Sequence, residues 1–233
     1  MPVTDESEST EDGPPHLADV AAARALVYSV MGRLLVTPTE ERLSTVRDAL
    51  PSLLVALAVA PELAAFGASQ PLVARLEDPR AFARSIDDYT VLFVSGQHPG
   101  CDLTLSARLA PDAGAAVVRA ASASLRRAGL APQSSSTTPS DHAATLLDLL
   151  AHCCQQEGSA WEDGDVARAG SWMRQESSAL TEHLVPWLPG VADRVARAAP
   201  ASLYTVVVDT AARVCRHDAD FLAALCESVE GAE

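Results

Sequence analysis

Thr138-Pro139-Ser140-Asp141-His142 gathers two hydroxyls, a carboxylate and an imidazole where the polar run Gln133 to Thr137 gives way to the apolar stretch Ala143 to Cys154. A carboxylate beside an imidazole could orient a general base, and Ser140 or Cys101 would be its nucleophile. His142, His152, Cys153 and Cys154 are metal-ligand types. Spacing argues against each chemistry. On one continuous helix His142 and Cys153 stand about 16 Å apart along the axis at ~1.5 Å per residue, and adjacent Cys153 and Cys154 diverge by about 100°. A metal would have to recruit Cys101, His98 or His183 from elsewhere in the chain. Neighbouring residues such as Asp141 and His142 do not face each other on a helix. The chain has no Gly-x-Ser-x-Gly elbow, no cysteine-protease signature around Cys101 and no glycine-rich phosphate loop. No catalytic residue, metal or cofactor is therefore expected, and a small enzyme using His142 with a thiol is the alternative. As structure, the pentapeptide reads as a helix start, with Thr138 as N-cap, Pro139 at the first helical position and Asp141 near the free N–H groups.

The elements that carry this junction follow from composition and period. Hydrophobic residues make up 48% of the 233-residue chain and aromatics only 4%, so Leu, Val and Ala must fill the core, which favours helices. Lys and Arg number 17 against 31 Asp and Glu, a formal net charge of -14, with no basic block. That excludes a phosphate-binding footprint for nucleic acid and suits a cationic partner. Five cysteines without a Cys-x-x-Cys pair, and a polar, acidic start at Met1-Pro2-Val3-Thr4-Asp5-Glu6, point to reduced thiols in the cytoplasm. The longest apolar run, Leu53 to Ala60, is less than half the ~20 residues that span a bilayer, so no membrane insertion is expected.

Residues 1–16 have the composition of a disordered acidic tail, and residues 17–229 that of one helical domain. Leu17, Val20, Ala21, Arg24, Val27, Met31, Leu34 and Leu35 recur at helical steps. Thr37-Pro38-Thr39-Glu40 reads as a capping box starting a second helix, which Pro51 and Pro61 should break. Asp78-Pro79 starts a helix on which Phe82, Ile86, Tyr89 and Phe93 form one apolar stripe, with Asp87 and Asp88 off it. Gly96 to Pro111 reads as an ordered loop, and Ala113 to Ala128 as a helix closed by Gly129. Helices are expected over His142 to Gln156 and Val166 to Val185, with a corner at Pro186-Trp187-Leu188-Pro189. Pro189 begins the helix to Ala198, Pro200 the next, and Asp218 caps a last short one. The fold class is all-α, a compact helical bundle of roughly nine or ten helices.

Tyr89, Leu92 and Phe93 lead into the long Gly96 to Pro111 loop, and a second loop mouth opens at Pro139 to His142. Two loop mouths carrying apolar side chains near Asp87, Asp88, Asp102 and Asp141 would suit a ligand that is part apolar and part cationic, such as a peptide. These same residues resemble the TorD/DmsD/NarJ family of redox-enzyme maturation chaperones. Tyr89-Thr90-Val91-Leu92-Phe93-Val94 resembles the family's Tyr-x-x-Leu-Phe block, and Ser106 sits where its following loop places a Ser. Pro139-Ser140-Asp141-His142 resembles the Glu-Pro-x-Asp-His block, and His183-Leu184-x-x-Trp187-x-Pro189 the His-Leu-x-x-Trp-x-Pro block. The blocks stand in family order between Leu17 and Leu225. Thr138 replaces the usual acid, and the loop after Phe93 carries His98, Pro99 and Cys101 in place of aromatics.

The resemblance implies a cytoplasmic, non-enzymatic chaperone that binds the twin-arginine leader, and the core, of the catalytic subunit of a molybdenum oxidoreductase before export. Peptide contacts would fall to Tyr89, Leu92, Phe93, Ser106, Pro139, Asp141, His142 and Trp187. A monomer or a domain-swapped dimer fits such a bundle. A generic helical interaction module is the competing reading.

Overall fold

The computed structural model describes residues 17–59, 69–130 and 138–230. The acidic tail, the break expected at Pro61 and the polar run before Thr138 lie outside the described residues. Within them the chain forms nine α-helices: α1 (Leu17–Leu34), α2 (Glu40–Val59), α3 (Ser69–Glu77), α4 (Pro79–Tyr89), α5 (Pro111–Arg127), α6 (Ala143–Glu162), α7 (Val166–His183), α8 (Leu188–Ala198) and α9 (Leu203–Glu230). A π turn over Thr90–Val94 extends α4, and a 3-10 turn occupies Ser106–Arg108. The expected all-α bundle is what the chain forms, and no described helix is long and apolar enough to cross a membrane.

α1 packs along α6 over its length and also against α2, while α6 packs on α7 and α9 on α8 and α7. The α1–α6 seam is close because small residues line it. A Cβ on Gly32 would lie 2.7 Å from Asp148 Oδ1, and one on Gly158 3.5 Å from the Ala18 carbonyl oxygen. Leu146, Leu147 and Leu150 of α6 are fully buried beside Val27, Met31 and Leu34 of α1. Each such side chain contributes on the order of 1.5–3 kcal/mol relative to exposure.

Helix ends follow the sequence where local chemistry suffices. The Asp78 carboxylate accepts from Arg80 N–H at 2.9 Å ahead of Pro79. Gly129 (φ 76) closes α5, with its own N–H on the Arg126 carbonyl and that of Leu130 on the Leu125 carbonyl, the pairing of a left-handed glycine cap. Elsewhere the structure departs from expectation. α2 is capped by Thr39, whose Oγ1 accepts from Arg42 N–H at 3.2 Å, two residues later than Thr37. It also runs unbroken through Pro51. Pro51 is exposed, so its ring lies on the side where water can supply the hydrogen bond that proline forbids. The final helix is continuous over 28 residues, because Asp218 spends its carboxylate on the interior rather than on a cap.

Candidate loop–helix site

The residues 139–142 do not begin α6; they are pinned beside it. Ala143 N–H donates to the Leu103 carbonyl at 2.8 Å and Leu105 N–H to the Asp141 carbonyl at 3.3 Å, with an antiparallel bridge between Thr104 and His142. Asp141 Oδ2 accepts from Ser106 N–H at 2.7 Å. Asp141 is 0% exposed, and its Oδ1 has no hydrogen-bond partner among the described residues. Ser106 contributes its backbone N–H here.

The N-cap of α6 is His142, four residues beyond Thr138. Its Nδ1 accepts from Ala144 N–H at 3.1 Å, and its own N–H donates to the Pro139 carbonyl at 3.2 Å. That carbonyl also accepts from Thr145 Oγ1 at 2.9 Å. Asp141 is drawn out of the helix because the loop around residues 103–106 takes its carbonyl and one of its carboxylate oxygens. Burial lowers the His142 pKa, against the opposing pull of Asp141, so the ring stays neutral and Nδ1 stays an acceptor. Ser140 Oγ accepts from Ser122 Oγ at 2.8 Å and donates to the Val118 carbonyl at 3.2 Å.

Trp187 joins this junction through a cation. Arg108 Nη2 donates to the Gly100 and Asp102 carbonyls, each at 2.6 Å, and its guanidinium lies 5.3 Å over the Trp187 ring. Trp187 is buried and its indole N–H donates to the His183 carbonyl, locking the corner between α7 and α8. Ser106, Asp141, His142 and Trp187 are thus tied into one loop-bracing assembly, while Pro139 stays exposed.

Tyr89, Leu92 and Phe93 belong to a different place. Tyr89 and Leu92 are buried, Phe93 is half-buried, and the rings of Tyr89, Phe93 and Tyr204 meet edge to face with centroids 5.1 to 5.5 Å apart. Tyr89 OH donates to the Leu35 carbonyl at 3.3 Å. The single stripe expected from Phe82 to Phe93 is split. The side chain of Phe82 lies outside the described residues, and Ile86 faces outward at 44% exposure, with Val91 at 38% and Val94 at 64%. Ile86 lies in the regular helix, and in the π turn that follows it Leu92 is buried while Val91 and Val94 are exposed. Asp87 is exposed on that segment, and Asp88 stands 3.8 Å from Arg84.

One cluster escaped the motif reading altogether. Arg24 of α1 is buried and donates to Glu157 Oε2 of α6 at 2.6 Å, to Glu176 of α7, and to Asp218 Oδ1 and Oδ2 of α9 at 2.7 and 3.0 Å. Tyr28 OH donates to Asp218 as well, and Cys154 Sγ–H to Glu176 Oε2 at 3.3 Å. Burial, opposed by Arg24, pushes the Glu176 carboxyl up to about 8. Cys154, Glu157 and Glu176 have ligand atoms within 4.8 Å of one another, but the guanidinium of Arg24 already occupies that company. The signal in the sequence was an arginine on an otherwise apolar helical stripe.

The motif residues of the bundle mostly brace loops, and burial raises the thiols of Cys153 and Cys154. The model of the nitrate reductase delta subunit family matches residues 40–193, well over half of the chain. The chain belongs to that family, the NarJ/TorD-type chaperones, whose general role is the maturation of redox enzymes. Comparison with curated proteins gave no match, and neither did comparison with solved structures.

Proposed function

We propose that this chain is a cytoplasmic chaperone that binds the twin-arginine leader of a molybdenum oxidoreductase subunit and delays its export until the cofactor is inserted. The observation that carries this reading is the outward face of α4 and its π extension. There Ile86, Val91 and Val94 are exposed on a segment that also carries Asp87. A leader with a cationic n-region and an apolar h-region is complementary to both features. Tyr89, Leu92 and Phe93 back this face from the core side. Ser106, Asp141, His142 and Trp187 hold the loop that follows it, and Pro139 stands at the edge of that loop. No bond is made or broken in this role.

Titration calorimetry with synthetic leaders tests the proposal. Binding in the micromolar range is expected, weakening at least tenfold in Val94→Asp and falling with added salt as carboxylate–guanidinium attraction is screened. Leaders carrying paired lysines should bind less well than those with paired arginines, because only the guanidinium fork grips a carboxylate through two bonds. Failure of every leader to bind would overturn the reading. A loss in Asp141→Ala exceeding that in Val94→Asp would move the peptide to the 139–142 junction.

A further inference from the structure

Arg24, Glu157, Glu176 and Asp218 are each at most 2% exposed, and the three acids share the donors around them unequally. Asp218 takes the Arg24 fork, Nε–H on Oδ1 and Nη2–H on Oδ2, together with the Tyr28 hydroxyl on Oδ2. Glu157 takes Arg24 Nη1–H on Oε2 and the Trp161 indole N–H on Oε1 at 2.9 Å. Both oxygens of these two acids are therefore covered. Glu176 receives Arg24 Nη2–H and the Cys154 thiol on Oε2, and its Oε1 is buried without a partner among the described residues. The titratable groups gathered round it are Arg24 and Tyr28 from α1, Cys153, Cys154 and Glu157 from α6, and Asp218 and Cys215 from α9. Arg24 is the cation of this set. From α5, Ser124 and Arg127 meet α7 at His183, its last residue.

Three carboxylates (-3) against one guanidinium (+1) would leave a buried charge of -2. Burial favours the neutral form of an acid, and donors on its oxygens favour the charged form. The proton therefore belongs on the acid with the fewest and weakest donors. A thiol donates more weakly than a phenol or an indole, and Glu176 is the acid with one oxygen bare. Its carboxyl is also the one raised to about 8, by burial against the pull of Arg24. As a neutral acid Glu176 still offers Oε2 to Arg24 and to the thiol, and the bare oxygen then carries a proton in place of a charge.

We propose that Glu176 is the proton-carrying member of this cluster, a neutral carboxylic acid whose ionisation in mild alkali loosens α7 from α1 and α9. Arg24 joins these three helices through Glu176 and Asp218, so a second unbalanced charge on α7 acts where the helix is seated. The sign of the effect follows from the direction of the shift. The folded carboxyl lies above its ordinary value of 4.5, so the folded chain binds more protons than the unfolded one between ~4.5 and ~8. The contribution of Glu176 to stability falls as pH rises through that window. The cluster shares no residue with the leader-binding face, and the device stands or falls independently of it.

Infrared spectroscopy and chemical denaturation of the full chain test this. The folded parent should show the carbonyl band of a protonated carboxyl at pH ~7 and lose it by pH ~9. Glu176→Gln should lack that band. Asp148→Asn, which removes another raised carboxyl, one at about 6, should keep it. The unfolding constant of the parent should rise about tenfold between pH ~6.5 and ~8, and that of Glu176→Gln less than about threefold. If circular dichroism shows Glu176→Gln misfolded, the band in the parent and in Asp148→Asn decides. The proposal is overturned if the folded parent lacks the band at pH ~7, if the band survives in Glu176→Gln or vanishes in Asp148→Asn, or if the two unfolding constants climb together. An equimolar divalent metal in the purified chain also overturns it, since an ion held by Cys154, Glu157 and Glu176 would then offset the charge in place of a proton.

Discussion

The loop–helix junction at 139–142 and the segment 86–94 draw on the same kinds of residue, acids beside apolar and aromatic groups, and treat them in opposite ways. At the junction Asp141 is wholly buried with one oxygen on the Ser106 amide, and His142 turns its ring nitrogen to its own helix. On the segment, Tyr89 and Leu92 face the core while Ile86, Val91 and Val94 face out, with Asp87 exposed among them. Polar groups that are satisfied from within stabilise the fold, whereas apolar groups left without cover are available to a partner. A sequence motif does not say which of these fates its residues meet.

The largest effect that could break this contrast is on stability. Asp141→Ala strands the part-buried Ser106 amide and empties a fully buried position, and chemical denaturation should show a loss of about 1–3 kcal/mol, the usual cost of leaving a donor without its partner. Asp141→Asn keeps an acceptor oxygen and should lose less. If Asp141→Ala instead left stability unchanged while abolishing leader binding, the junction would be the binding surface and the contrast would fail. Next in size is Val94→Asp, whose tenfold loss in leader affinity should come without a change in melting temperature, since the side chain is 64% exposed. The smallest effect belongs to His142. Its pKa is lowered in the folded chain by burial, so the folded state binds fewer protons than the unfolded state between its lowered value and ~6.5. Stability from this residue is therefore present above ~6.5 and is lost on acidification through the lowered value. The cap is worth about 0.5–1 kcal/mol. His142→Asn, which caps without titrating, should flatten the difference between melts at pH 7 and pH 5 relative to the parent.

Helix existence was legible because it depends on local period: α1 follows the spacing Leu17, Val20, Ala21, Arg24, Val27, and α4 begins at Asp78-Pro79 as its cap chemistry requires. What local chemistry could not decide was the choice among competing partners. Thr138 and Asp141 had the types of a helix start, but the 103–106 backbone claims that stretch and passes the cap to His142. Asp218 had the type of a cap, but Arg24, 194 residues away, claims its carboxylate. Ile86 fell on the apolar stripe by period, yet it is exposed while Tyr89 of the same stripe is buried, and a π turn, which no residue type announces, follows it. The junction's motif residues were found by resemblance, whereas the exposed residues of the segment 86–94 were not legible in any motif.

The Arg24 cluster has a consequence in time as well as in space. Its guanidinium sits on the first described helix, and its carboxylates arrive on α6, α7 and α9, so during synthesis the charge is made first and its last counter-charge near the end. Burying Arg24 and Tyr28 without Asp218 would leave the Arg24 Nε–H and the Tyr28 hydroxyl without their acceptor, a cost that opposes lasting docking of α1. Full hydrogen bonding of this guanidinium is therefore a property of the finished chain, and the bundle closes only when its last helix is in hand.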